Sequence, residues 1–449
     1  MVDNLSEHLS EYQSYFRTET NYATNLPELY ISGLLTTERG KRNIERIHEE
    51  IDMEGDGYQQ LQQFITDSPW DARQLITAIG QEISKLYAQE PGYQINDVGY
   101  IIDESAHLKK GKMSVGVARQ YAGVVGKVDN CQVGVYSSLV YQTHNALINT
   151  RIFLTERWTE DPIRCDQAGI PEDERDYKTK PQLAFEMLKA DIEAGVRFGW
   201  IGGDGLYGHG YDLSNNIDDL GLTFLFDIHN DQHVYIDEPS IFLPEKKPGP
   251  GREPTLYITE AETTKVRDCM SKLEDSDWHE VEVRDTVKGV LKLSMHIQQV
   301  WTWDGEEEQA RLRTLIISHN KAENKIKYSL SNADMATTSI ERFAYMQAQR
   351  YWVERSFQDA KSELGMSDYQ VRKWNGWYHH MALVMLSLSF IVRERLRNKT
   401  EYPLLSSRDV RIFIIALLTE DRKLIQRRLQ QMETRHEQRR KDIQRHFKT

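Results

Sequence analysis

Val98-Gly-Tyr-Ile-Ile-Asp103 is a short apolar run of β-branched and aromatic residues closed by an acid. Its length and composition read as a buried strand, with the acid at its end. A second run repeats the design, Phe198-Gly-Trp-Ile-Gly-Gly-Asp204, and a third follows as Leu222-Thr-Phe-Leu-Phe-Asp-Ile228. Between the first two lie further strand signals, Gln132-Val-Gly-Val-Tyr-Ser137 and Ala146–Leu154. A helical period then runs over 181–196 through Leu183, Met187, Leu188 and Ile192, and a second helix is expected over about 207–219. The order is three strands, helix, strand, helix, strand. It predicts an α/β fold built on a mixed five-stranded sheet whose first three strands form a meander. Strand ends in such sheets commonly carry ligands and catalytic groups.

Working outward, residues 1–95 show apolar spacings of three and four, as at Leu61, Phe64 and Ile65, and read as a helical N-terminal domain for DNA binding or dimerisation. The polar stretch Trp158–Lys180, with Pro162 and Pro171, reads as loop. Residues 229–334 interrupt the α/β pattern. They contain the turn-rich link Pro244–Pro254 and the alternating runs at Val281, Val290 and Thr314, which predict a β-rich insertion. Helices resume near Thr338, and a basic helical tail runs from Ser407 to Lys448. The expected segments are therefore 1–95, a core over 96–228, the insertion over 229–334, the rest of the core over 335–400, and a tail over 401–449.

A chain of 449 residues with 39% hydrophobic and 28% charged residues reads as soluble, folded and two- to four-domain. Met-Val-Asp-Asn-Leu-Ser-Glu at the start has neither a basic nor an apolar signal region, so no secretory signal is expected. The apolar stretch Met381–Val392 is too short to span a bilayer and reads as a buried helix, so no membrane partner is expected. Cys131, Cys165 and Cys269 are too dispersed for a zinc site or disulfide framework, which fits a reducing cytoplasm. The net charge of −13 argues against indiscriminate nucleic-acid binding. It is unevenly spread, with 12 Asp/Glu against 5 Lys/Arg in residues 1–60 and 12 Lys/Arg against 6 Asp/Glu in residues 408–449. Selected surfaces meeting a polyanion would explain that asymmetry; a solvated amphipathic helix explains the tail equally well.

A third acid, Glu354, lies in the helical segment Arg350-Tyr-Trp-Val-Glu-Arg-Ser-Phe-Gln-Asp-Ala-Lys361. Two strand-end carboxylates and one helical carboxylate can hold a pair of hard divalent ions, which prefer oxygen ligands and keep several waters. Such a pair serves phosphodiester chemistry. Taken singly, a strand-end Asp more often caps a turn, and Arg350 with Glu354 is the spacing of an ordinary surface pair. Glu104 alternates to the face opposite Asp103. Lys109, Lys110 and Lys112 form a basic loop past the first acid, suited either to phosphates or to an exposed turn.

These contexts carry a family resemblance. The segment Ile102–Tyr121 with Gly126–Val135, the motif Gly202-Gly-Asp-Gly-Leu-Tyr-Gly208, and Trp352–Met366 together resemble the catalytic core of bacterial insertion-sequence DDE transposases. The closest type is the insertion sequence 701 family, related to the insertion sequence 4 group; Tyr58–Trp70 also fits. The resemblance covers roughly residues 30–395. It implies an RNase-H-like fold, with Asp103, Asp204 and Glu354 as catalytic metal ligands. It further implies two Mg²⁺, replaceable by Mn²⁺, and double-stranded DNA as partner, both as terminal inverted repeats and as target. A homodimer would hold the two ends during cut-and-paste transposition. Arg350, Glu354 and Lys361 fall on the related group's Tyr-x2-Arg-x3-Glu-x6-Lys spacing, but Gln347 stands at the Tyr position, with Tyr345 two residues earlier. Arg350 and Lys361 are thus candidates for DNA contact, as are Lys109, Lys110 and Lys112. Tyr351, Trp301 and Trp303 are candidates for base stacking, against a packing role that is the commoner use of large aromatics. Trp374, Trp377, His379 and His380 read as packing or structural polar groups. Two other readings stay open at this stage: an RNase-H-like structure-specific nuclease, and a non-catalytic DNA-binding protein derived from a transposase.

Overall fold

The computed structural model describes residues 2–18, 21–22, 25–51, 57–246, 252–286, 289–418 and 422–446. The centre of the expected link, 247–251, and the end of the basic tail lie outside them. The chain divides into two compact units. One comprises Met1–Ile95, Asp103–Arg197 and Trp352–Thr449; the other comprises Asn96–Ile102 and Phe198–Tyr351. These units cut across the segments read from the sequence.

Ten strands matter here: β1 (Val98–Leu108), β2 (Ala118–Ala122), β3 (Lys127–Tyr141), β4 (His144–Ile152), β5 (Trp200–Gly203), β6 (Phe224–Ile228), β7 (His279–Thr286), β8 (Gly289–Thr302), β9 (Arg311–Asn320) and β10 (Lys325–Ser331). β1 contributes to both units. In the second, Gly99 to Ile102 pair in parallel with Trp200 to Gly203, and Ile201 to Gly203 pair in parallel with Phe224 to Phe226. β10 joins β6 antiparallel, and β9, β8 and β7 continue antiparallel from it. In the first unit β1 neighbours β3, and β3 pairs antiparallel with β4 and β2. The order β4-β3-β1-β5-β6 is the expected mixed sheet with its leading meander. The insertion's strands lengthen that sheet from the β6 edge.

One ring holds the parallel register. Trp200 is buried, and its indole lies where a Cβ on Gly99 would come within 2.5 Å and a Cβ on Gly202 within 2.8 Å. Glycine at both positions gives the indole room across two neighbouring strands.

Two expectations need correcting. β1 does not end at Asp103 but runs to Leu108. The polar sequence after Asp103 hides this, because Ser105 and His107 are buried and His107 Nδ1 shares a 3.0 Å hydrogen bond with Tyr369 Oη. The stretch 158–180 is also partly helical, with helices at Glu156–Thr159 and Pro162–Ala168 and a 3-10 turn at Glu172–Glu174. Pro162 opens its helix at a position where a missing N–H costs nothing. Asp161 caps the Arg164 N–H, and Gly169 closes the helix at φ 70°.

The core of the first unit is the Trp374–Arg397 helix, buried along most of its length and packed on the Ala72–Ala88 helix and β4. This is the buried helix expected around Met381–Val392. No described helix is long and apolar enough to cross a membrane. In the second unit Ile228, Val234, Val300, Leu315, Ile317 and Leu330 form a separate core.

Gly99→Ala is expected to destabilise the protein by about 1–3 kcal/mol, because the Trp200 ring has nowhere to move. Gly111→Ala, whose Cβ would meet nothing within 4 Å, is expected to be near neutral. Equal denaturant midpoints for the two variants would refute the packing argument.

Candidate active site

Asp103 is half-buried in β1, directly after the fully buried Ile102. Its Oδ1 accepts the Glu104 N–H at 2.7 Å. Glu104 alternates to the other face, where Lys180 Nζ donates to its Oε1 at 2.8 Å. That ion pair occupies the neighbouring carboxylate and separates its use from that of Asp103.

Asp204 follows Gly203, the register partner of Ile102. Each acid is therefore the residue after one member of a parallel pair. Asp204 also caps the short helix Gly205–Gly208, its Oδ1 accepting the Leu206 N–H at 2.9 Å. The cap and a ligand role are compatible, since an ionised carboxylate offers two oxygens and several lone pairs.

Glu354 is exposed in the first turn of the Tyr351–Leu364 helix, where the helix dipole favours negative charge. An adjacent face is apolar at Val353, Phe357, Ala360 and Leu364, the spacing of a core-facing stripe. Ser356 fixes this face: its Oγ accepts from Asn145 Nδ2 at 2.7 Å and lies 3.2 Å from Ser138 Oγ. The same helix carries Lys361, seven residues after Glu354 and on the same face. Burial pulls the Lys361 ammonium below the usual lysine range, and the Asp103 carboxylate opposes that pull. Lys361 and Asp103 thus interact electrostatically.

Arg350 sits at the junction between the Ile340–Gln349 and Tyr351–Leu364 helices, before the second helix begins, so the shared helical face holds Glu354 and Lys361. Arg350 Nε lies 2.9 Å from Asp227 Oδ2. Asp227 Oδ1 accepts from Ser329 Oγ at 2.8 Å, and that oxygen accepts from Gln347 Nε2 at 2.8 Å. Gln347, the departure from the Tyr-x2-Arg signature, is therefore a buried link in a chain ending on Arg350. Tyr345 is committed elsewhere, donating its hydroxyl to the Asp97 carbonyl at 2.8 Å. Asp227 was missed by the sequence reading. An acid inside the apolar run Phe224–Ile228 was the available signal, since a carboxylate in such a strand needs a partner.

The other candidates fall in different settings. Lys109 Nζ donates to the Tyr369 carbonyl at 2.8 Å and lies 3.5 Å from the centre of that ring. Burial pushes its ammonium down to about 7. Lys110 and Lys112 are exposed. Tyr351 is 44% exposed, with the Arg284 guanidinium 4.7 Å from its ring centre. Trp301 and Trp303 are half-buried, and Trp303 Nε1 donates to the Glu307 carbonyl at 2.8 Å. His379 is buried with its ring nitrogens 2.8 and 3.0 Å from the Ile65 and Trp70 carbonyls. His380 is buried with Nδ1 2.9 Å from the Tyr30 hydroxyl, so both histidines serve structure.

Asp103 and Asp204 thus each follow one member of a parallel register pair, Asp103 within β1 and Asp204 just past the end of β5. The chain belongs to the DDE superfamily endonuclease family, whose description matches residues 13–290. That span includes Asp103 and Asp204; Glu354 lies beyond it. A probable transposase for insertion sequence element IS701 from Microchaete diplosiphon is 26% identical over 318 residues, covering 70% of this chain and 69% of the relative. A cryo-EM structure of the piggyBac transposase synaptic complex with hairpin DNA aligns over 95% of this chain and 79% of that one. Its TM-score is 0.43 and its identity 11%.

Asp227→Ala is expected to cost about 2–3 kcal/mol, since it removes the half-buried carboxylate that meets Arg350, Lys327 and Ser329. Asp227→Asn, which keeps an acceptor, is expected to cost less. The two should be compared by chemical denaturation, and a neutral Asp227→Ala would remove the network from the account.

Proposed function

We propose that this chain is a DDE transposase that cleaves DNA at the ends of its own element and transfers them into target DNA by cut and paste. The parallel register of Ile102 with Gly203 is the observation that carries the reading. It supports placing Asp103 and Asp204 side by side, each one residue further along its strand. The family assignment makes the enzyme a divalent-metal-dependent endonuclease. The transposase relative makes DNA transfer the reaction.

Asp103, Asp204 and Glu354 would hold two Mg²⁺. The donor set fits: three carboxylates, two half-buried and one exposed, suit a hard cation that retains water. When bound, such ions supply charge stabilisation for the attacking and leaving oxygens of phosphodiester exchange. The protein's own residues set the frame. Lys361 places a cation near Asp103, which offsets repulsion between clustered acids before metal arrives. Arg350, held by Asp227, and the exposed Lys110 and Lys112 are the cations proposed to meet phosphate oxygens. Tyr351, exposed beside Arg284, is the aromatic best placed for stacking on a base. Two element ends must be joined to one target, so a homodimer on DNA is the expected assembly.

The test uses purified protein with duplexes carrying the repeats that flank the gene. Asp204→Ala is expected to abolish cleavage in Mg²⁺ or Mn²⁺ while end binding, read by gel shift, persists. Cleavage that survives this change, or that is indifferent to chelator, would sink the assignment.

A further inference from the structure

From Ser105 to Val128 the chain has five cations, Lys109, Lys110, Lys112, Arg119 and Lys127, and no Asp or Glu, within a protein of net charge −13. The fold leaves Lys110, Lys112 and Arg119 exposed in the first unit, while Lys109 packs on Tyr369 and Lys127 Nζ lies 4.0 Å from Asp129 Oδ2. β2 and β3 form a hairpin, with Arg119 opposite Asn130 and Tyr121 opposite Val128. Alternation divides the hairpin's faces. Ala122 and Cys131 are fully buried and pack with Val133, Ala106 and Phe153. The other face presents Tyr121 at 65% exposure and Val128 at 51%. At the tip, Val124 is 62% exposed and Val125 39%. Isolated exposed apolar residues need no explanation, but a contiguous set on one hairpin marks a contact surface.

The surface is preorganised. The tip is closed by the Val125 and Gly126 N–H groups donating to the Ala122 carbonyl at 3.0 and 2.9 Å. Asn130 Nδ2 reaches across to the Lys109 and Gly111 carbonyls at 2.6 and 2.9 Å, which ties the lysine loop to the hairpin. Arg164, stacked 3.6 Å from the Trp158 ring centre, donates to the Lys112 carbonyl at 3.1 Å. Val115 is held at both polar groups, its N–H by the Arg372 carbonyl at 2.8 Å and its carbonyl by Gln132 Nε2 at 2.6 Å. The exposed Lys110, Lys112 and Met113 therefore project from an anchored loop beside an anchored hairpin.

We infer that this hairpin and loop form a DNA-contacting ribbon, with Lys110, Lys112 and Arg119 on phosphates and Tyr121 and Val124 against bases. The inference rests on the transposase reading. Charge selects the occupant. A second copy meeting this face through a two-fold axis would set Lys110, Lys112 and Arg119 against themselves. A duplex offers the complementary charge, and exposed apolar side chains on a rigid ribbon are suited to a groove or a base step.

The experiment uses the full chain, a duplex carrying the gene-flanking repeat, and fluorescence anisotropy across a salt series. Tyr121→Ala with Val124→Ser is expected to weaken binding about ten-fold or more with the salt slope unchanged. Arg119→Ala with Lys112→Ala is expected to flatten the log–log salt slope by about two, roughly one per phosphate contact. Both variants should keep the wild-type thermal midpoint, because the altered side chains are exposed. Wild-type affinity and slope in both variants would overturn the ribbon while leaving the transposase reading intact. Loss of self-association without DNA would assign the face to a second copy and also overturn it. A wild-type protein that binds no duplex at all would overturn the transposase reading itself.

Discussion

The indole of Trp200 is the constraint on which the rest depends. A parallel pair buried on both faces has little besides side-chain fit to set its register. Here one large ring spans two strands and requires a missing side chain at Gly99 and at Gly202. That requirement aligns Ile102 with Gly203, and the acids proposed for catalysis follow one residue later on each strand. Register and the positions of these acids along their strands are thus coupled through one buried aromatic group.

Much of this was legible in the sequence because it rests on local pattern. Short apolar runs closed by acids mark β1 and β5, a third apolar run marks β6, and the helical period through Leu183 and Met187 marks the helix between β1 and β5. The alternation that separates Asp103 from Glu104 is visible in the same way, and Lys180 meets Glu104 where alternation sends it. What escaped depends on partners distant in sequence. β1 continues past Asp103 because His107 finds Tyr369, far along the chain. The prolines after Trp158 look like loop signals until Asp161 is seen capping the helix that Pro162 opens. The chain from Gln347 through Ser329 and Asp227 to Arg350 joins three segments whose kinship no spacing reveals.

The distribution of cations carries a similar lesson. Lys109, Lys110 and Lys112 look alike as a basic run, yet Tyr369 takes up the first while its neighbours stay in solvent. Lys361 answers to Asp103, and Arg350 to Asp227. A protein of net charge −13 that acts on a polyanion must spend its positive groups selectively. Some set the electrostatics of acidic clusters, and others are left to meet a ligand.

The pairing of Glu104 with Lys180 has a consequence for how the strand tolerates change. Side chains in a strand alternate with a period of two, so a single-residue insertion or deletion upstream would exchange the faces of the two adjacent acids. Glu104 would turn toward the position of Asp103, and Asp103 would be left facing the lysine. The reading frame of β1 is thus checked twice, once by an aromatic ring that admits only glycine and once by a lysine that expects a carboxylate at every other step.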